Sequence, residues 1–224
     1  MLYSFKKKIK DLPSVLPLFP LNRVLLFPRS RLPLNLFENR YLHMFDYALS
    51  NSRLIGLIQP KIVDLERKKE HNPFLYNIGC AGYITAFSET QDNRYEIILR
   101  GLCRFKIKKE LSLVNGFRRA KIDWGAFKDD LMLTNYSDQK ERKNFEAVLK
   151  DYLSKESITI NWETIKMSDD EELVNAISMG CPFDTNEKQA LLEAKSLSER
   201  IKVLISLMQM SLKENKSTKP KSFS

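Results

Sequence analysis

The amino-acid sequence predicts an α+β protein, with a β-rich first half and a helical second half. The first observation is a series of short apolar runs that proline interrupts between residues 13 and 60. Because proline lacks a backbone N–H and fixes φ, such runs favour edge strands and strand ends over helices. The second observation is that apolar residues beyond residue 128 recur at helical spacings of three and four. We therefore expect a small barrel or sandwich followed by an all-helical bundle.

The first strands are predicted where proline brackets the apolar runs Leu16–Leu21, Val24–Pro28 and Leu32–Phe37. A short helix is expected next, from Asn39 to Leu49, with Asn39 as its N-cap. Its apolar face has a spacing of i, i+3, i+4, i+7 and consists of Tyr41, Met44, Phe45 and Ala48.

Further strands are expected over Arg53–Gln59, Ile78–Ser88, Tyr95–Lys108 and Arg119–Phe127. The second and third of these are separated by a polar turn, which indicates a hairpin. The charged segment 61–76 between the first two is predicted to be an exposed excursion.

The helical half is marked by repeated start signals and apolar stripes. The start signals are Ser168 with Glu171, Asp184 with Glu187, and Ser196 with Glu199; the stripes include Phe145, Val148, Leu149 and Tyr152, and then Leu197, Ile201, Leu204, Ile205, Met208 and Leu212. We therefore predict a β-rich domain over 13–128 and a helical domain over 129–214. Residues 1–12 and 215–224 are predicted to be flexible termini by their polar, basic composition.

The charge is unevenly distributed along the chain. The 224 residues carry a net charge of +9. Residues 1–128 contain 23 Lys and Arg against 11 Asp and Glu, whereas residues 129–224 contain 14 against 17. A basic surface attracts nucleic acid, anionic lipid or acidic proteins, and composition does not choose among them.

Several classes of protein are excluded by the sequence. No apolar run approaches the roughly 20 residues of a membrane-spanning helix, and the basic start lacks the apolar segment of a secretory signal. Three widely spaced cysteines form no disulfide framework, so we expect reduced thiols and a cytoplasmic location. Since none of the seven glycines precedes a lysine, the phosphate-binding loop of P-loop ATPases is absent from this sequence.

No catalytic or metal-binding constellation is evident in the sequence. His43 and His71 are the only histidines, and the chain has neither an H-E-x-x-H nor a C-x-x-C pattern. Cys80 and Cys103 lie in apolar strand patterns, where burial makes a thiol inert. We predict no catalytic residue, no metal and no cofactor, and therefore a binding or structural module. A hydrolase that uses Cys103 or a serine is a minor alternative.

An ordered series of motifs resembles the N-terminal, substrate-binding domain of Lon proteases, in the form of the short stand-alone bacterial members. The matching segments are Leu16–Leu21, Val24–Pro28, Leu32–Tyr41, Arg53–Pro60, Ile78–Ile84, Arg100–Phe105, Leu173–Asn175, Cys181–Phe183 and Glu187–Ala194. The similarity covers roughly residues 13–212. It implies a β-rich, PUA-like subdomain followed by a helical bundle, without the ATPase module and the Ser-Lys peptidase domain of full-length Lon.

The resemblance implies a non-catalytic module that engages unfolded or degron-bearing polypeptides. A Lon-type or other ATP-dependent protease is an implied partner, self-association is left open, and no membrane partner is expected. The alternative is RNA binding by the basic β half, because related PUA-like barrels include RNA-binding domains.

The predicted substrate-binding residues lie in two motifs of the β half: Phe37, Glu38, Arg40, Tyr41, Arg100 and Arg104. A groove with exposed apolar surface and charged edges is what such recognition requires. The competing interpretation is that Glu38 forms an internal ion pair with Arg40 or Arg104, while Phe37 and Tyr41 belong to the core.

Overall fold

The structure, a computed structural model, describes residues 8–61, 73–92, 94–132 and 138–214. Most of the predicted excursion over 61–76, with His71, lies outside the described residues, as do 1–7 and the predicted tail 215–224. The described residues form two compact units. The first contains the described residues between 8 and 132 together with 182–192, and the second contains 138–181 and 193–214.

One mixed sheet of six strands organises the first unit. The strands are β1 (Val15–Pro20), β2 (Arg31–Leu36), β3 (Leu54–Ile58), β4 (Ile78–Glu89), β5 (Tyr95–Val114) and β6 (Phe117–Asp123). Their order is β2-β5-β4-β3-β1-β6, and β5 also pairs with β6. Five strands therefore close into a ring, and β2 is added along β5. The pairing of β1 with β3 is parallel, and the other pairings are antiparallel.

The long strand β5 joins the ring to β2. Its first residues pair with both β2 and β4, as in Ile97 with Leu34 and Phe87. Its last residues pair with β6, as in Lys109 with Lys121. The predicted hairpin between β4 and β5 is confirmed, although β5 continues six residues beyond the predicted end at Lys108.

The core of the ring is made by alternate residues of the strands. Leu16, Leu18, Leu54, Phe105 and Ala120 are among its fully buried members. This alternation leaves the residues between them on the outer face of the ring.

The helix α1 (Asn39–Ser50) buries the predicted apolar face of Tyr41, Met44, Phe45 and Ala48. The predicted N-cap was wrong by one residue. Glu38 is the extended N-cap, and its carbonyl oxygen accepts hydrogen bonds from the backbone N–H groups of Tyr41 and Leu42.

The predicted strand over Val24–Pro28 was also wrong, although Leu25, Leu26 and Phe27 are buried. Arg23 and Arg29 on either side have left-handed φ values of 60° and 68°, which bend the backbone out of strand geometry. The segment instead crosses β5 at Gly101, where an added Cβ would lie 1.8 Å from the Phe27 carbonyl oxygen. Apolar character alone had indicated burial, and burial does not require a strand.

The helices of the second half are α2 (Gln139–Lys155), α3 (Trp162–Met167), α4 (Asp170–Gly180), α5 (Thr185–Glu193) and α6 (Leu197–Glu214). The strand predicted over Arg119–Phe127 spans Phe117–Asp123 instead, and a 3-10 helix, Gly125–Leu131, follows it. The α+β class is confirmed. Within the described residues, no helix is long and apolar enough to cross a membrane.

The predicted start signals of the helices have mixed outcomes. Asp184 and Glu187 form the reciprocal capping box, because each side chain accepts a hydrogen bond from the other residue's backbone N–H at 2.8 Å. Ser168 does not cap α4; Asp169 does, by accepting from the N–H of Glu172 at 2.7 Å. The helix α5 belongs mainly to the first compact unit. The domain boundary at 128/129 stays a prediction.

Candidate functional site

An open groove of about 560 Å³ lies along β2 and the β4–β5 hairpin. We call it the β2 groove, and its lining is Pro33, Leu34, Asn35, Ala86, Phe87, Ser88, Glu96, Ile97 and Ile98. Two of these residues are large apolar side chains with high exposure, Phe87 at 48% and Ile98 at 37%. The groove is therefore an apolar surface that is open to solvent.

The register of three neighbouring strands builds this groove. Ile98 of β5 lies between Pro33 of β2 and Ala86 of β4. The Phe87 ring packs 5.3 Å from the buried ring of Phe45, measured between centroids, so the core of the first unit supports one face of Phe87.

The residue after β2, Phe37, is 61% exposed and lies at the corner where the chain turns into α1. The guanidinium carbon of Arg94 lies 5.7 Å from its ring centroid, and Arg94 forms an ion pair of 2.8 Å with Asp92. Phe37 is thus an exposed aromatic ring beside the tip of the β4–β5 hairpin.

The structure brings Glu38, Arg40 and Tyr41 together at the start of α1. The Nη2 atom of Arg40 lies 2.7 Å from a Glu38 carboxylate oxygen, and both side chains are about 40% exposed. Tyr41 is buried and its ring packs 4.4 Å from that of Phe19. Burial raises the pKa of the Tyr41 hydroxyl, which keeps it neutral. Tyr41 is therefore a core residue with its neighbours at the surface.

Arg100 is exposed and lies directly opposite Arg31 in the β2–β5 pairing. Like charges at directly opposed strand positions repel each other. Neither guanidinium forms an ion pair within the part of the chain that the structure describes. The two positive charges thus stand two pairs away from Pro33 and Ile98, with the pair of Leu32 and Leu99 in between.

Arg104 is separated from the other predicted residues. Its side chain is 4% exposed, and it binds both carboxylate oxygens of Asp130 at 2.8 and 2.9 Å. It also donates to the carbonyl oxygen of Leu192 at 3.0 Å and lies 4.3 Å from the Phe127 ring centroid. Of the two expected ion pairs of Glu38, the one with Arg40 forms and the one with Arg104 does not.

Sequence reasoning missed Arg31, Phe87, Arg94 and Ile98. Period-two alternation was a usable signal for Ile98, because it lies between the buried Ile97 and Leu99 and therefore points to the opposite face. Phe87 pairs with the buried Ile97, so alternation did not indicate its exposure. The approach of Arg94 to Phe37 had no local signal, since it depends on how β2 pairs with β5.

The described residues offer no thiolate nucleophile and no metal centre. All three cysteines are buried, and burial raises the pKa of the Cys103 thiol to about 12. No cluster of three or more His, Cys, Asp or Glu suited to a metal ion occurs among the described residues.

A protein-family model matches most of this chain. The model of the ATP-dependent protease La (LON) substrate-binding domain matches residues 15–210. This chain therefore belongs to the LON substrate-binding domain family.

Similar proteins support the same assignment. A Lon protease of Desulfosudis oleivorans is 27% identical over 209 residues, which cover 89% of this chain and 24% of that protein. Lon protease 2 of Myxococcus xanthus is 24% identical over 205 residues, again 89% of this chain and 24% of that protein. The chain thus spans about a quarter of the length of these relatives.

Two solved structures share the fold. A Lon N-terminal domain protein from Xanthomonas campestris superposes with a TM-score of 0.60 at 18% identity, covering 87% of this chain and 98% of that one. The N-terminal domain of Mycobacterium avium complex Lon protease has a TM-score of 0.61 at 15% identity, with the same coverage.

Proposed function

We propose that this chain is a non-catalytic substrate-recognition module that binds unfolded or degron-bearing polypeptides through the β2 groove and Phe37. The observation that carries the proposal is the solvent exposure of Ile98 in an open groove and of Phe37 directly after the strand that lines it. Contiguous exposed apolar surface of this kind is typical of interaction sites. Unfolded polypeptides expose the apolar segments that such a surface binds.

The charges around the groove favour a particular client composition. Arg31 and Arg100 bring two unneutralised positive charges close to one end of the groove. We therefore expect the preferred segment to carry aromatic or aliphatic residues beside acidic ones. Since the pair is exposed, this contribution should weaken as salt screens it.

Recognition of side chains fits the groove better than the addition of a client strand along β2. Pro33 lies within β2 and has no N–H to donate. A proline in an edge strand reduces the capacity of that edge to pair with another chain. We expect clients to bind mainly by placing apolar side chains against Pro33 and Ile98, which share one face of the sheet.

The proposed partner of this chain is a Lon-type or other ATP-dependent protease. The relatives of this chain are named Lon proteases, and they are about four times as long. We propose that a polypeptide bound in the groove is presented to such an enzyme, and that the chain itself hydrolyses neither peptide nor ATP.

The test measures binding of fluorescently labelled, carboxymethylated lactalbumin, an unfolded acidic protein, by fluorescence anisotropy. Phe37→Ser should weaken binding by about tenfold, because burying an exposed aromatic ring contributes roughly 1.5–3 kcal/mol. Phe74→Ser is the matched control, since Phe74 is 60% exposed but adjoins Leu75, which pairs with Pro60 beyond β3, whereas Phe37 directly follows β2. Arg100→Glu should also weaken binding, and by a larger factor at low salt than at high salt.

Equal losses in the Phe37 and Phe74 variants would contradict the assignment of the groove, and no binding by the unaltered chain would contradict the function. RNA binding by the basic β half is the alternative. A filter-binding titration with single-stranded and structured RNA tests it, and a tight interaction with a steep salt slope would favour RNA over polypeptide.

A further inference from the structure

The exposed face of the β2–β5 pair continues beyond the β2 groove at both ends. Exposure alternates along β2, where Arg31, Pro33 and Asn35 are exposed and the residues between them are partly buried. Because successive strand residues point to opposite faces, these three side chains share one face of the sheet. Phe37, which directly follows β2, is exposed as well and continues the alternation.

The residues of β5 that pair with these three positions are also exposed. The pairs, in order along the face, are Arg31 with Arg100, Pro33 with Ile98, and Asn35 with Glu96. Directly opposed residues share a face of the sheet. The second and third pairs line the β2 groove, so the groove is the middle of a longer exposed row.

Phe37 and Arg94 add a fourth pair to this row. The last paired residues are Leu36 and Tyr95, and Phe37 and Arg94 come next along the two chains. Arg94 is exposed, and its guanidinium carbon lies 5.7 Å from the Phe37 ring centroid, so the two side chains remain neighbours beyond the strands. We call the four pairs the four-pair face. It carries two cations, then an apolar pair, then an amide beside a carboxylate, and last an aromatic ring beside a cation.

The spacing of the four pairs equals that of alternate residues in an extended polypeptide. Neighbouring pairs are two residues apart, which is about 6.6 Å at roughly 3.3 Å per residue. An extended segment lying along the strands presents its alternate side chains to the face at the same interval. Extended chains that pack face to face also stay nearly aligned. Four alternate side chains of one segment can therefore meet the four pairs one to one.

We propose that the four-pair face recognises an ordered motif in an extended client segment. At every second position the motif has an acidic residue, an apolar residue, a basic or polar residue, and an apolar or aromatic residue. This inference rests on the proposed function and specifies the segment that is bound.

The charges of the face determine the order of the motif. The acidic side chain meets Arg31 and Arg100, whose guanidinium groups form no ion pair in the described part of the chain. The exposed carboxylate of Glu96 repels a second acidic side chain at the third place and attracts a basic one. The two apolar side chains pack on Ile98 and on the ring of Phe37, which are 37% and 61% exposed.

The test measures binding of fluorescein-labelled seven-residue peptides to the full chain by fluorescence anisotropy at low salt. The matched peptide has aspartate, leucine, lysine and phenylalanine at its first, third, fifth and seventh positions and threonine elsewhere. One isomer exchanges the aspartate with the neighbouring threonine, which turns the charge to the other side of the segment. A second peptide has lysine in place of the aspartate. Each peptide is made in both chain directions, because the order of side chains on one side is the same in either.

The matched peptide should bind about threefold or more tighter than the isomer and the lysine peptide, a difference of the size that exposed ion pairs give, and salt should reduce it. Arg31→Glu combined with Arg100→Glu should reverse the preference, so that the lysine peptide binds more tightly. Arg53→Glu combined with Lys121→Glu is the matched control. It reverses two exposed charges of the first unit, at the start of β3 and in β6, and should leave the preference unchanged.

The outcomes separate this inference from the proposed function. Binding of unfolded lactalbumin without any difference among the peptides would overturn the ordered motif and leave the function standing. Reversal of the preference by the control pair would overturn it as well. No binding of lactalbumin or of any peptide would overturn both. The peptide series on the unaltered chain decides the matter even if the doubly reversed variant does not fold.

Discussion

The buried ion pair between Arg104 and Asp130 leads to a sharp prediction about stability. Asp130→Ala removes the carboxylate that accepts hydrogen bonds from the backbone N–H, Nε and Nη2 of Arg104. The guanidinium would then stay buried without its two hydrogen bonds to the Asp130 carboxylate, because Arg104 is enclosed between Phe127 and the end of α5.

The magnitude follows from burial. The two side chains are 4% and 10% exposed, and removal of one partner from a buried pair costs about 3–5 kcal/mol. The exposed pair of Glu38 and Arg40 is the comparison, at 42% and 40% exposure, and Glu38→Gln should cost less than about 1 kcal/mol. Replacing both buried partners, with Arg104→Met and Asp130→Leu, should restore part of the loss because the buried guanidinium is removed together with the carboxylate that binds it.

The assay is urea unfolding followed by tryptophan fluorescence in a Trp162→Phe background. Trp124, which is buried in the core of the ring, then reports the first unit alone. A loss below about 1 kcal/mol for Asp130→Ala, or a loss equal to that of Glu38→Gln, would refute the reasoning that burial makes this pair critical.

Three further predictions concern other parts of the chain. Gly101→Ala should abolish soluble, folded protein, as judged by expression yield and circular dichroism, because its Cβ would meet the Phe27 carbonyl oxygen; Gly180→Ala, with open space around it, should be harmless. The Cys103 thiol, whose pKa burial raises to about 12 from 9.0, should resist Ellman's reagent at pH 8 until the chain unfolds. Because the thiol ionises at a lower pH in the unfolded chain than in the folded one, the free energy of unfolding should fall as pH rises above about 9. A free energy of unfolding that rises there would contradict this. Ile201→Ala or Leu204→Ala, both buried in α6, should lower the free energy of unfolding by about 2–5 kcal/mol and with it the melting temperature. The fraction that stays folded should bind clients as tightly as the unaltered chain. Loss of binding at unchanged stability would reverse the assigned roles of the two halves. Charge reversal at Arg67 or Lys68, in the predicted excursion over 61–76, should instead weaken client binding without lowering the melting temperature; both residues lie outside the described ones.

The predictable parts of the fold are those that local patterns determine. The spacing of Tyr41, Met44, Phe45 and Ala48 predicted α1 and its buried face, because a helix must place such residues on one side. The capping box of Asp184 and Glu187 predicted the start of α5 for an equally local reason. The irregular path of Val24–Pro28 was missed because left-handed φ values at two arginines follow from the crossing at Gly101, which is a long-range contact.

The candidate site was predictable only in part. The motif that contains Phe37 lies directly after the strand that lines the groove, but it did not separate the exposed Phe37 from the buried Tyr41. The role of Arg104 depends on Asp130, which is 26 residues away. Likewise, the adjacent residues Arg118 and Arg119 have the same side chain, but Arg118 binds Glu110 whereas Arg119 lies beside the Tyr47 ring. This difference follows from strand register.

The assignment of 182–192 to the first compact unit has a consequence for synthesis on the ribosome. The side chain of Gln59 donates to Gln189 and to the carbonyl oxygen of Thr185 at 3.0 and 3.2 Å, and Tyr76 donates to Asn186 at 2.5 Å. At roughly 5–20 residues per second, translation from the end of the 3-10 helix to α5 takes about 3–12 s. During that interval the strands can pair, but Gln59 and Tyr76 have no α5 to bind. The last part of the first unit is therefore completed only after α2, α3 and α4 have been made.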